Sequence, residues 1–283
     1  MLSILVTGHR GLLGFTLVRV LRDAGFIVHV FEGDITDAAS LQAFAASLDS
    51  LDVIVHTAAA TDVNRCEQEQ EWCRSVNVEG TRNVRDVAAL RGARLVFIST
   101  VSVFSGTEGD YREENDPDPR NVYNTTKALG ENITLEYEKG LVLRLNLIGI
   151  HPQGSRGKNF MEWLVDSAGQ HKDIQLFTDI RINPLSHWTI AELIRDLIQT
   201  WPKSRVLHLG SRTVLSKADI GRLVLAHFPA YRGNAKFINS DELPFKAFRP
   251  KEMWLNVDRA ERELNRRFST LEEEVSRILN LIS

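Results

Sequence analysis

The chain has 283 residues, 43% of them hydrophobic and 25% charged, with a net charge of −3. That balance, with no block of Lys and Arg, argues against nucleic acid or a membrane surface as the main partner. No apolar run approaches the ~18 residues of a membrane span, and the length suits one large domain or one domain with an appendage. Met1 leads straight into LSILVTG with no basic flank or small-residue cleavage site, so a cytoplasmic chain is expected. The only cysteines, Cys66 and Cys73, make neither a disulfide scaffold nor a metal site; buried spectators and no metal are expected.

The first half alternates β-rich runs with helical segments. SILVTG is followed by the periodic LLGFTLVRVLRDAG, then FIVHVF, a helix from about Asp37 to Leu48, and LDVIVHTAAA. A long helix is expected through SVNVEGTRNVRDVAALRG, followed by the strand ARLVFIST, a helix over NVYNTTKALGE and the strand LVLRLNLIG. Continuous apolar strands separated by helices predict a doubly wound parallel α/β sheet with both faces covered. After Ile150 the rhythm changes to the polar loop HPQGSRGKN and the helical FMEWLVDSAGQ. WTIAELIRDLIQT and RVLHLG read as a helix and strand returning to the main sheet, and the chain ends in a charged amphipathic helix. The expected division is a dinucleotide-binding domain over 1–150 with 184–210, and a smaller discontinuous substrate lobe over 151–183 and 211–283. The cleft should lie at the carboxyl ends of the strands.

TGHRGLLG places Gly8, Gly11 and Gly14 directly after a strand and at the opening of a helix. Glycines at this spacing permit a tight turn, let the backbone approach a pyrophosphate and let the helix pack on the strand, with the helix amino terminus toward the phosphates. Two residues point to different cofactors. Glu32 closes the second strand, where an acid would hold a ribose 2′-hydroxyl and favour NAD. Arg10, inside the loop, would pair with a 2′-phosphate and favour NADP. NADP(H) is favoured and NAD(H) stays open. In GDITD, Thr36 or Asp37 suits a helix cap, while Asp34 is placed to reach the adenine. Leu12, Leu13 and Ile35 complete the expected cofactor contacts.

NVYNTTKALGE sets Tyr123 and Lys127 four residues apart, on one face of a helix. Exposed, such a pair does nothing; beside a dinucleotide, the ammonium can stabilise a phenolate. A free phenol with a pKa near 10 is a sluggish acid at neutral pH, and bringing it near 7 needs about 4 kcal/mol of differential stabilisation. A close ammonium and a cationic nicotinamide are perturbations of the right kind.

Together these segments resemble the extended short-chain dehydrogenase/reductase superfamily, and within it the dTDP-4-dehydrorhamnose reductase family. The matching text is TGHRGLLG, GDITD, VIVHTAAATDVNRCE, VNVEGTRNV, LVFISTVSVFSG, VYNTTKALGE, LRLNLIG and GKNF, in order over residues 2 to about 160, with FRP at 248–250 beyond. The resemblance implies a Rossmann-type sheet and a reductase of a 4-keto nucleotide sugar. Tyr123 would donate the proton to the carbonyl, and Lys127 would hold the nicotinamide ribose and lower the tyrosine pKa. Thr100 would bind the carbonyl oxygen, with Ser99 packed below. It implies cofactor contacts at Ala58, Ala59, Ala60 and Leu147, and a substrate-side place for Asn159. Structural roles are expected for Asn77 and Gly80, with His56 and His151 as core and loop histidines. Arg249 in FRP matches a phosphate-binding position for the sugar nucleotide, to which Lys158 and Lys251 would add charge.

Two departures bear on the substrate. Family reductases carry Asp-Tyr after the threonine, where this chain has Val101 and Ser102 facing the sugar. DIRINPLS stands in place of a Gln-containing stretch, with Arg181 available for an anionic group. Val101-Ser102 lacks the acidic pair of the related dehydratases, and no Cys stands where the epimerase-reductases sharing GHRG use one. A cofactor-binding regulatory subunit, like the methionine adenosyltransferase β-subunit, is the competing reading from another class. The expected partner is a nucleotide sugar, with a homodimer left open.

Overall fold

The computed structural model describes residues 1–151, 159–243 and 250–282; Lys158 and Arg249 lie outside these. The chain runs β1 (Ser3–Thr7), α1 (Leu12–Asp23), β2 (Ile27–Phe31), α2 (Ala38–Ala46) and β3 (Val53–His56). Then come α3 (Val63–Gln68), α4 (Gln70–Arg74), a π-helical turn (Ser75–Glu79) and α5 (Gly80–Arg91). After β4 (Arg94–Ile98), a single 3₁₀ turn (Val101–Val103) precedes α6 (Val122–Leu135), β5 (Gly140–Leu145) and β6 (Leu147–Ile148). The rest is α7 (Phe160–Gly169), β7 (Ile174–Phe177), β8 (Arg181–Ile182), β9 (Leu185–Ser186), α8 (His187–Thr200), β10 (Val206–Leu209), β11 (Leu215–Ser216), α9 (Lys217–Ala226), β12 (Ala235–Ile238), a second 3₁₀ turn (Ser240–Glu242), β13 (Glu252–Met253), α10 (Asp258–Leu264) and α11 (Leu271–Asn280).

Six strands form one parallel sheet in the order β10-β5-β4-β3-β1-β2. The β-residue alternation explains how both faces are covered. Ile4 and Val6 of β1 point into a core shared with Leu13, Leu17 and Leu21 of α1 and Ile190, Leu193 and Leu197 of α8. Leu5, between them, points to the opposite core with Leu41 of α2 and Val84 and Val87 of α5. Every residue of β1 is buried, and its centre, Ile4 to Val6, is continuously apolar.

The sheet is wound outward in both directions from β1 and β3, a topological switch point. Register pairs Thr7 with both Phe31 and His56, and His56 with Phe97, so these carboxyl ends finish level. A crevice opens there. As expected, β10 returns to the main sheet beside β5. The later segments carry a second core of Met161, Leu164, Ile174, Leu176, Ile220, Val224, Val275 and Ile278. Three small sheets accompany this core, pairing β7 with β12, β8 with β11 and β13, and β6 with β9.

Candidate active site

A cleft of about 710 Å³ lies over the carboxyl ends of β1 to β5. Its floor is the glycine loop. Gly8 has φ +74°, and a Cβ there would stand 2.5 Å from the Ala58 backbone nitrogen, so β1 and the chain after β3 meet backbone to backbone at the switch point. A Cβ on Gly14 would stand 2.3 Å from the Gly8 carbonyl oxygen, so helix packs directly on turn. Helix α1 has no side-chain cap and no acid in its first turn. Its first N–H groups, at Leu12, Leu13 and Gly14, lack intrahelical acceptors and border the cleft. Such an end attracts phosphate. His9 Nδ1 is buried beside this loop with no hydrogen-bond partner, a polar atom that a bound ligand can satisfy. These features fit a dinucleotide.

At the other end, Arg10, Glu32, Asp34 and Ile35 line the cleft. Arg10 Nη2 and Glu32 Oε2 lie 3.7 Å apart, so the two residues that point to different cofactors pair with each other. Asp34 Oδ1 accepts from the Thr36 N–H at 2.9 Å, and Asp37, rather than Thr36, caps α2. Ala58 and Ala59 line the cleft, whereas Ala60 sits beneath, its N–H and carbonyl both bonded to Asn77 at 2.8 and 3.1 Å. Asn77 can reach because the π turn swells the helix there; its role and that of Gly80, where a Cβ would meet Ile35 Cδ1 at 2.7 Å, are packing and support.

Helix α6 begins where Asn121 Oδ1 accepts from the Asn124 N–H at 2.8 Å. This sets Tyr123 in the first turn and Lys127 one turn on, both lining the cleft with Thr100 and Ser99 from the end of β4. Lys127 is buried; its Nζ donates to the Ile98 carbonyl at 2.7 Å and lies 4.0 Å from the Phe97 ring centre. Burial pulls its pKa down to about 7 against the opposing pull of Glu131. Burial also pushes the Tyr123 phenol up, with the Cys66 and Cys73 sites adding to the shift. Without cofactor, burial thus keeps Tyr123 a protonated phenol. Thr100 Oγ1 accepts from the Ser102 N–H at 3.1 Å, which leaves its own O–H to donate outward.

The remaining expected residues divide. Leu147 and Asn159 line the cleft. Asn159 is also the cap of α7: Oδ1 accepts from the Glu162 N–H and Nδ2 donates to the Gly149 carbonyl, both at 3.0 Å. Val101 is buried with Val103, Phe104, Tyr111 and Leu255, and neither it nor Ser102 borders the cleft. Arg181 stands on β8, 3.5 Å from Glu252, also away from the cleft. His56 is a core histidine between Thr7 and Thr81, with its pKa pulled by burial to about 3. His151 sits in the loop, bonded to the Arg10 carbonyl oxygen at 3.1 Å. Cys66 and Cys73 are buried free thiols, and burial pushes Cys66 up to about 12.

Sequence reading missed His9, Thr57, Leu145 and Asn146 in the cleft lining. The last two follow from the rule that ligands meet strand carboxyl ends. A second cavity of about 660 Å³ is lined by Arg212, Arg266, Arg267 and Arg277, two of which are held in ion pairs, Arg277 with Glu192 at 2.6 Å and Arg266 with Asp196 at 3.0 Å.

The chain is similar to known proteins over nearly its whole length. The chain is 28% identical over 294 residues to the probable low-salt glycan biosynthesis reductase Agl14 of Haloferax volcanii, covering 96% of this chain and 95% of that one. It is 26% identical over 297 residues to dTDP-4-dehydrorhamnose reductase of Escherichia coli (strain K12), covering 99% and 97%. The crystal structure of dTDP-4-dehydrorhamnose reductase from Bacillus anthracis in complex with NADP superposes with a TM-score of 0.89 at 25% identity, covering 99% and 100% of the two chains. Residues 2–283 match the family described as RmlD substrate binding domain. The chain belongs to that family, within the extended short-chain dehydrogenase/reductase superfamily.

Proposed function

We propose that the chain is an NADPH-dependent reductase of a 4-keto group on a nucleotide-activated deoxysugar. The observation that carries this reading is one cleft in which Thr100, Tyr123 and Lys127 stand opposite a glycine loop suited to a pyrophosphate. Relatives named as reductases over nearly the whole chain support it.

A nicotinamide held over this cleft would supply the hydride. The Thr100 O–H, oriented by the Ser102 N–H behind it, donates to the carbonyl oxygen and opposes the charge that grows there. Tyr123 Oη gives its proton to that oxygen, so the ketone becomes an alcohol and the phenol a phenolate that solvent reprotonates. Lys127, as an ammonium one turn along α6, holds the ribose and stabilises the phenolate. In this reading, residues 151–183 and 211–283 form the lobe that receives the sugar nucleotide.

NADPH and NADH oxidation should be followed against a panel of 4-keto-6-deoxy nucleotide sugars. Turnover of at least one, with NADPH preferred, is expected. If cofactor binds and no sugar is reduced, the regulatory-subunit reading takes its place.

A further inference from the structure

Tyr123, Lys127 and Glu131 recur at spacing four on one face of α6. The proposed reaction uses the first two and leaves the third without a task. Glu131 is 2% exposed, and its carboxylate accepts from Ser99 Oγ at 2.5 Å and from Arg144 Nε and Nη2 at 3.0 and 2.8 Å. Lys127 holds the Ile98 carbonyl at 2.7 Å. Two residues one turn apart on α6 therefore grip the last residue of β4 and the residue after it, Ile98 and Ser99, and the next residue is Thr100. Behind Glu131, the Arg144 guanidinium lies 4.9 Å from the Phe104 ring centre and reaches His208 Nε2 at 3.5 Å. His208 Nδ1 then donates to the Tyr111 carbonyl at 3.0 Å, and the Tyr111 ring stacks on Phe104 at 4.3 Å. The chain of contacts thus also holds the segment leaving Thr100.

We propose that Glu131 is a positioning residue for the reduction: its buried carboxylate keeps Lys127 an ammonium and, through Ser99, fixes the strand end that presents Thr100. This rests on the reductase reading of the site. Burial works against a charged Lys127, so something must hold the proton. The titratable groups facing Lys127 are Glu131 and Tyr123 on α6, Cys73 on α4 and His56 on β3, with Arg144 on β5 beyond the carboxylate. Burial keeps the phenol and the imidazole uncharged, and the Glu131 carboxylate, paired with Arg144, brings negative charge to that face of α6. The carboxylate bonds Arg144 directly and stands one helical turn from Lys127 on the same face. A structural bridge between Glu131 and Arg144 alone would be replaceable by apolar side chains; the hold on Lys127 would not.

The test is the titration of the Lys127 ammonium by NMR in the full chain labelled at lysine, with and without NADPH. In Glu131→Gln the midpoint should fall by about one pH unit or more. Turnover at neutral pH should drop at least tenfold with an unchanged KM for the sugar nucleotide, and Glu131→Asp should restore part of both. An unmoved Lys127 midpoint in a folded Glu131→Gln protein overturns the proposal, even if stability falls. Should that variant not fold, the Glu131→Gln/Arg144→Met double variant, which leaves no unpaired arginine, must show the same shift. The titration needs no substrate, so a wild-type protein that reduces no sugar nucleotide would overturn the reductase reading and leave the hold on Lys127 to be judged separately.

Discussion

Arg10 and Glu32 form an ion pair of 3.7 Å at the adenosine end of the cleft, both side chains about 70% exposed. A pair that exposed is worth less than about 1 kcal/mol, whereas a guanidinium contact to a phosphate contributes roughly 1.5–3 kcal/mol. A 2′-phosphate is therefore expected to win Arg10 from Glu32. Arg10→Ala should weaken NADPH about tenfold or more and NADH little, while Glu32→Gln should tighten NADPH by removing a competitor and a like charge. Fluorescence titration of both cofactors measures this. Equal losses for the two in Arg10→Ala would assign the discrimination to Glu32 alone.

Tyr123→Phe should abolish reduction and leave cofactor affinity nearly intact, because only the donated proton is lost. Burial holds the phenol protonated in the cofactor-free protein, so no tyrosinate absorbance from Tyr123 should appear there between about pH 6 and 8. Turnover by the phenylalanine variant at the wild-type rate would remove Tyr123 from the mechanism.

Thr100→Val keeps shape and burial but deletes the hydroxyl that the Ser102 N–H orients. The expected cost is roughly a hundredfold in kcat, the scale of losing one donor to a developing oxyanion, with Thr100→Ser recovering most of it. Single-turnover rates separate this from binding. A change confined to KM would mean that Thr100 only holds substrate.

Lys127 carries a stability signature as well as a catalytic one. Burial lowers its pKa from 10.5 to about 7, so the unfolded chain binds this proton more tightly than the folded one. The penalty is complete below about pH 7 and fades as pH rises toward 10.5, so stability from this residue increases through that window. Lys127→Met should raise the Tm of the cofactor-free protein, more at about pH 6 than at about pH 9.5. The lost bond to the Ile98 carbonyl opposes the gain equally at both values. A difference between variant and wild type that does not vary with pH would show that Lys127 keeps an ordinary pKa.

The sheet and the glycine loop were legible because they rest on local pattern: five buried residues in β1, and glycines where backbone meets backbone at Ala58. The segment expected to be helical from Ser75 onward is helical to Arg91. Its opening is a π turn, and the cause is tertiary: Asn77 reaches the backbone of Ala60. The strands β8, β9, β11 and β13 are two residues each, too short to leave a periodic trace. Asn159 shows a different gap. N-x-x-E at Asn159 and Glu162 is a legible capping box, yet the position was read only for substrate. The pairing of Arg10 with Glu32 depends on the loop folding back toward the end of β2, which spacing alone does not give.

The residues after Thr100 test where the sugar lies. Val101 was expected to face substrate, but its side chain is 3% exposed among Val103, Phe104, Tyr111 and Leu255. Ser102 is half-buried and uses its N–H, not its hydroxyl, to support Thr100. Val101→Asp would put a carboxylate into that apolar cluster and should destabilise the fold by about 3 kcal/mol or more, the cost of a buried unpaired charge. Val101→Ile, adding one methylene to a packed site, should cost about 1 kcal/mol or more. Neither should alter KM in the fraction that remains folded. Ser102→Ala leaves the Ser102 N–H bond in place and should be near neutral for both Tm and kcat. Thermal unfolding and steady-state kinetics on the three variants are enough. An unchanged Tm with a raised KM in Val101→Asp would place Val101 against the sugar after all, and the apolar contacts around it would then have to open when substrate binds.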